Sequence, residues 1–276
     1  MILYGNEVAK AIEERSLALI QDKTPVLAIV RVGENPSDLS YERGLTKRCE
    51  KMGVTIKNVV FPLDVDVDTF YASIDELNQD KTVHGILMFR PLPKNLDNER
   101  ARNAIAPEKD VDGCTDGSLA GVFTNTNKGF APCTAQAVME CLDYYNIDVT
   151  SKNVTIVGRS LVVGKPLAMM MTSKNATVTL CHTKTKNLEE ACQRADIVVV
   201  ATGQMESMGA SYFRQGQTVI DVGINFNETK QKLCGDVLFE EVEPIVENIT
   251  PVPKGIGSIT NSVLVYHVCQ ACSQSN

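Results

Sequence analysis

Residues 154–166 read VTIVGRSLVVGKP, and the fold turns on them. Val154 to Val157 is a short, β-branched apolar run of the kind that sheets bury on both faces. It runs straight into Gly158, a second glycine follows at Gly164, and helical composition continues through Met171. In a strand–glycine loop–helix, backbone N–H groups and the helix dipole hold a pyrophosphate. The spacing departs from G-x-G-x-x-G, because Ser160 stands at the usual second glycine. The flanking strand and helix therefore carry more weight than the glycines, which otherwise serve only as turn residues. In NAD sites an acid at the end of the next strand accepts the ribose hydroxyls. Here that strand ends Cys181-His182-Thr183-Lys184, with no acid. Arg159, Thr183 and Lys184 offer donors and positive charge to a 2′-phosphate, or are simply solvated loop residues. NADP is favoured, with NAD possible.

The pattern extends in both directions. TVTLC, DIVVVATG and TVIDVG follow at intervals suited to parallel strands with helical crossovers. Upstream, residues 5–22 place Val8, Ile12, Leu19 and Ile20 at helical spacing, and Val26 to Gly33 reads as a buried strand. A helix over Tyr41 to Met52, a strand VTIKNVVF, a helix over Thr69 to Asn78 and a strand His84 to Phe89 complete a first series. A helix over Ala135 to Tyr145 precedes the second, and one from about Ser262 to Cys272 closes the chain. The fold class is α/β, with two α/β domains and the C-terminal one a Rossmann-like parallel sheet. The expected boundaries are 1–148 for the first domain, 149–260 for the second, and 261–276 for the final helix.

Composition bounds the partners. The 276 residues carry 27 basic and 34 acidic side chains, a formal net charge of -7. With 43% hydrophobic residues the chain has material for a real core and is not a disordered one. The acidic balance argues against nucleic acid, whose phosphates need a basic surface. No apolar run approaches the roughly 18 residues of a membrane span. Nine scattered cysteines, an odd number, and a polar start without a secretory pattern point to reduced thiols and a cytoplasmic protein. Cys269 and Cys272 form the only CxxC, but three-residue spacing is also one helix face, so no metal is expected.

Eight segments then act together: VGENPSDLSY (32–41), GILMFRPLP (85–93), PEKDVDG (107–113), APCT (131–134), VGRSLVVGKP (157–166), DVGIN (221–225), GDV (235–237) and ITPVPKGIGSIT (249–260). In order and spacing the chain resembles the methylenetetrahydrofolate dehydrogenase/cyclohydrolase family over essentially its whole length. The resemblance implies an N-terminal folate domain, a cofactor domain, a cleft between them, a final helix returning to the first domain, and a homodimer. It implies oxidation of 5,10-methylenetetrahydrofolate with NADP or NAD, then hydration of the methenyl product to 10-formyltetrahydrofolate. Tyr41 matches the tyrosine stacked on the pterin and aminobenzoate. Asp112 matches the carboxylate on the pterin ring nitrogens; an ionised carboxylate only accepts, which suits a donor edge. KDVDG by itself would read as a surface turn. Pro251, Val252, Gly255 and Gly257 match the loop on the substrate side. Gly158, Arg159, Ser160, Gly164, Thr183 and Lys184, with Gly223 and Ile224 of DVGIN, are the expected cofactor residues.

The departures bear on the reaction. The family's cyclohydrolase lysine, four residues after the tyrosine, is Leu45 here, in a register held by Pro36, Tyr41, Cys49 and Gly53. Its glutamine partner is Phe89, and the following leucine is Arg90. Asp38 replaces a frequent serine, Lys254 a glycine and Ser258 a proline. Hydride loss from a carbon flanked by two nitrogens leaves a delocalised cation and needs alignment more than a base. Hydration needs proton movement, for which a positioned acid/base contributes about 10²–10⁴-fold. Neither Leu45 nor Phe89 relays protons. Arg90 stays charged and makes a poor base, while Lys47 lies two helix positions from the lost lysine. The expectation is an NADP-dependent dehydrogenase whose cyclohydrolase step is weak or lost. The alternatives are a bifunctional enzyme, a non-catalytic folate- or nucleotide-binding regulator, and a dehydrogenase for a modified pterin.

Overall fold

Helix α1 (Gly5–Ile20) leads into strand β1 (Val26–Val32), helix α2 (Pro36–Lys51), strand β2 (Thr55–Phe61), helix α3 (Val67–Gln79) and strand β3 (Gly85–Met88). These come from a computed structural model that describes residues 1–21, 23–126 and 128–275. Asp22, at the end of the expected first helix, lies outside the described residues. Helix α2 starts five residues before Tyr41, where the sequence pattern placed its first turn. The Asn35 side chain accepts from Ser37 N at 2.9 Å and Pro36 occupies the first turn, so the start signal lies in NPS rather than in the apolar spacing. Short helices α4 (Asn98–Asn103) and α5 (Asp116–Thr124) follow β3. The sequence pattern missed both, because they are shorter than the window that shows helical periodicity. Capping by Asp97 and Thr115 was their legible signal.

The chain then runs through helix α6 (Cys133–Tyr144), strand β4 (Asn153–Val157), helix α7 (Gly164–Ser173), strand β5 (Thr177–Cys181), helix α8 (Leu188–Gln193), strand β6 (Ile197–Val200) and strand β7 (Thr218–Asp221). A small antiparallel hairpin, β8 (Asn225–Asn227) and β9 (Lys232–Cys234), precedes helix α9 (Phe239–Val242), strand β10 (Asn248–Ile249) and the last helix α10 (Ile256–Gln274). Helix α10 begins about six residues earlier than the sequence pattern indicated, since Gly255 and Gly257 mask its first turn.

The chain divides into two compact units. One comprises Ala11–Cys133 and Asn261–Asn276; its sheet has the order β2-β1-β3, all parallel. Ala28, Val30, Phe70, Ile74, Ile86 and Met88 form the heart of its core, each side chain contributing roughly 1.5–3 kcal/mol when large and fully buried. The other comprises Met1–Lys10 and Thr134–Thr260, with a parallel five-stranded sheet in the order β10-β7-β6-β4-β5. Val157, Val198, Val200, Val219 and Ile249 pack on one face of that sheet. The divisions fall inside α1, α6 and α10, so the break near residue 133 precedes the expected one near 148: apolar spacing continues unbroken through α6 and shows no seam there.

Candidate active site

The two acids of Lys109-Asp110-Val111-Asp112-Gly113 have different surroundings. Asp110 is fully buried and its carboxylate accepts Cys114 N at 3.0 Å and Thr115 N at 2.7 Å, which closes the turn. Asp112 is half-buried, with the Cys133 thiol close enough to act on its charge. Burial, then the nearby Asp110 charge, push the Asp112 carboxyl up to about 7, against a lowering by Arg90. One acid is thus structural, and the other keeps its acceptor oxygens for something else.

Tyr41 lies in the same unit. Its ring packs edge-on against Phe89, with centroids 5.8 Å apart, and 39% of the residue is exposed. Burial and the Asp112 charge hold its phenol far above the usual range, so it stays a neutral donor. One turn further along α2, on the same face, Leu45 is completely buried. Arg90 is half-buried after β3, near enough to Asp112 to act on its charge. Arg43 and Lys47 are exposed. Beside Tyr41 the two positions Phe89 and Leu45 therefore hold an aromatic ring and an aliphatic side chain, and its ionisable neighbours are Asp112, Cys133, Cys49 and Arg48.

In the other unit, β4 delivers the chain into the glycine loop. Gly158 has φ +128°, and a Cβ there would meet Ala201 O at 2.2 Å; one on Gly164 would meet Gly158 O at 1.8 Å. The loop can fold this tightly only without side chains at those positions. Ser160 Oγ accepts Val163 N at 3.1 Å and ties the loop to the start of α7. Beside it lies a cavity of about 380 Å³. Of the expected cofactor residues, Gly158, Arg159, Ser160 and Thr183 line it. Gly164 shapes the loop from behind, whereas Lys184, Gly223 and Ile224 are not on its wall. Gly223 is buried instead against Asp236, and Ile224 is exposed. His182, Thr202, Gln204, Ser207 and Tyr212 also line the cavity and were not anticipated. Asp236 could have flagged Thr202: it accepts Thr202 N at 2.6 Å and Gly203 N at 2.8 Å, joining GDV to the end of DIVVVATG. The N-terminus of a ten-residue helix, two glycines closed against backbone oxygens, and Arg159 with Thr183 at the rim fit a phosphorylated dinucleotide.

Pro251 and Val252 line a second cavity in this unit, of about 360 Å³, with Lys230, Lys232 and Phe239. Gly255 is buried under Pro251 O, and Gly257 faces Ile224. Lys254, where the resemblance expects glycine, has φ +78°. Cys269 and Cys272 are both buried free thiols on one face of α10. No helix among the described residues is long and apolar enough to cross a membrane.

A parallel sheet whose strand β4 runs through a glycine-bounded loop into a helix N-terminus fits the class of NAD(P)-binding α/β enzymes. The comparisons narrow the class: the model of the tetrahydrofolate dehydrogenase/cyclohydrolase catalytic domain matches residues 3–112, and that of the family's NAD(P)-binding domain matches residues 132–276. The chain belongs to the tetrahydrofolate dehydrogenase/cyclohydrolase family. It is 48% identical over 280 residues to the bifunctional protein FolD of Carboxydothermus hydrogenoformans, covering 99% of this chain and 98% of that protein. The crystal structure of the Campylobacter jejuni bifunctional FolD superposes with a TM-score of 0.95 at 34% identity, covering 99% of this chain and 98% of that one. A Trypanosoma brucei methylenetetrahydrofolate dehydrogenase-cyclohydrolase, crystallised with NADP cofactor and an inhibitor, gives 0.91 at 29% identity over 100% and 98%.

Proposed function

We propose that this protein oxidises 5,10-methylenetetrahydrofolate to 5,10-methenyltetrahydrofolate with NADP, and that its cyclohydrolase step is weak or lost. NADP, when bound, supplies the hydride acceptor. Arg159 and Thr183 hold its 2′-phosphate, and the loop from Gly158 to Gly164 receives its pyrophosphate. Asp112, as carboxylate, accepts from the donor edge of the pterin, and Tyr41 stacks on the ring system. Pro251, Val252, Gly255 and Gly257 line the folate's path. Leu45 places no positive charge beside the cation that hydride loss creates.

One observation carries the loss of hydration: Leu45 is fully buried and Phe89 lies against Tyr41, so no ionisable group stands at either relay position. The bifunctional names of its relatives favour the second possibility, a retained cyclohydrolase. A paired assay separates the two, following NADPH formation from methylenetetrahydrofolate and disappearance of added methenyltetrahydrofolate. The expected outcome is NADP-dependent turnover with methenyl loss no faster than in buffer. Enzyme-dependent methenyl loss at a rate matching oxidation would overturn the assignment. NADP-independent silence despite measurable folate binding would point to a regulator.

A homodimer accords with this family, and the free edge of β2, with Val60 exposed, is a suitable surface for it. Nine free thiols accord with a cytoplasmic setting.

A further inference from the structure

Three hydrogen bonds converge behind Asp112 and come from elements far apart in sequence. His267, buried in α10, has Nδ1 2.8 Å from the Val111 carbonyl. Cys133, the first residue of α6, has its thiol 3.2 Å from that same carbonyl and 3.7 Å from His267 Nδ1. Its backbone N–H donates to the carbonyl of Asp112 itself at 3.3 Å. The Phe130 ring lies over the imidazole, centroids 4.9 Å apart.

The chemistry assigns the protons. A carbonyl only accepts, so Nδ1 at 2.8 Å carries a hydrogen and donates it. Burial keeps the imidazole neutral, with its pKa lowered to about 4. A neutral ring protonated at Nδ1 cannot also accept the Cys133 thiol proton there. That proton is left for the Val111 carbonyl, 3.2 Å away, with the Asp112 carboxylate nearby. The peptide units on both sides of the Asp112 Cα are therefore pinned, one by His267 and one by Cys133, while Asp110 closes the following turn.

We propose that His267 and the Cys133 thiol are positioning residues for Asp112: together they fix the Val111 carbonyl, and with it the peptide leading into Asp112, and so aim its carboxylate. The proposal rests on Asp112 being the folate-binding acid. Under it, the last helix of the chain determines through His267, a residue that does not itself touch folate, how well the folate is held. A carboxylate that is to meet two donors on a flat ring gains from such support, because small angular errors forfeit one of the two bonds.

The test compares His267→Leu, which removes the donor and keeps bulk, with His267→Asn, which keeps an N–H close to the Nδ1 position. Cys133→Ala is made independently, with Asp112→Ala as the reference. Steady-state KM is measured for methylenetetrahydrofolate and for NADP, alongside thermal midpoints. The expected result is a folate KM raised about tenfold in H267L and C133A, an NADP KM unchanged, and recovery to within about threefold in H267N. An unchanged folate KM in a folded H267L or C133A overturns the proposal, as does an equal rise in both KM values. If H267L does not fold, C133A decides. If D112A keeps full folate turnover, the assignment of Asp112 has failed; if D112A is inactive while H267L and C133A behave as wild type, only the positioning role has.

Discussion

Asp112 illustrates what a half-buried carboxylate costs its host. Its folded pKa of about 7 lies above the ordinary 3.8, so between those values the folded chain holds a proton that the unfolded chain has released. The stability this contributes is complete below about pH 4 and is lost as pH rises through about 7. Asp112→Asn, which imitates the protonated acid, should raise the thermal midpoint relative to wild type at pH 8 and leave it unchanged at pH 4. Calorimetry at the two pH values checks this. Under the proposed role of Asp112, folate binding has the opposite sign, because the ionised carboxylate is the form that only accepts. Wild-type kcat/KM for folate should fall about tenfold per pH unit below about pH 7, read from a pH–rate profile at saturating NADP. The residues beside Tyr41 allow a complementary test. Leu45→Lys with Phe89→Gln should raise methenyl hydrolysis by about 10²-fold over the parent. Leu45→Lys alone should lower stability, since that position is fully buried and the amine would lack a partner. Methenyl absorbance and a thermal melt report the two effects.

At the scale of the element, the loop before α10 holds a non-glycine residue in left-handed backbone. Lys254 has φ +78° and its carbonyl accepts Gly5 N at 2.7 Å, so the conformation is held from the N-terminal segment. A side chain in this region costs roughly 1–2 kcal/mol. Lys254→Gly should therefore stabilise the protein by about 1 kcal/mol and raise the thermal midpoint by roughly 2–4 °C. A lower midpoint would mean that the exposed lysine makes a contact worth more than the strain. The glycine loop shows the converse. Gly158 and Gly164 are excluded from substitution by backbone oxygens, a constraint that a pattern with one glycine replaced by Ser160 signals only faintly.

For the whole molecule, the three-stranded sheet leaves β2 as an edge, with Val60 49% exposed. An unpaired strand edge invites a second copy, and a charge placed there discourages it. Sedimentation should give a dimer mass for the parent and a monomer mass for Val60→Lys; a monomeric parent would refute the dimer. Much of the molecule was legible in advance, because parallel strands buried on both faces write continuous apolar runs such as VTIV and IVVV. Helix starts, short helices and the β8–β9 hairpin were less legible, because capping and local turns write shorter patterns than burial does. Arg159 and Thr183 could be placed beside the glycine-loop cavity because they flank strands β4 and β5, which the apolar pattern located. Thr202 could not, since what brings it to the same cavity is the order of strands across the sheet, β6-β4-β5. The sequence by itself determined the two α/β series, the glycine loop and the presence of Leu45 and Phe89 where the resemblance expects a lysine and a glutamine, each of which is local in the chain. Only the tertiary structure decided which acid of KDVDG is spent on backbone amides and which stays available. Only it brought His267 behind that acid, because hydrogen bonds between residues more than 150 positions apart leave no periodic trace in the sequence.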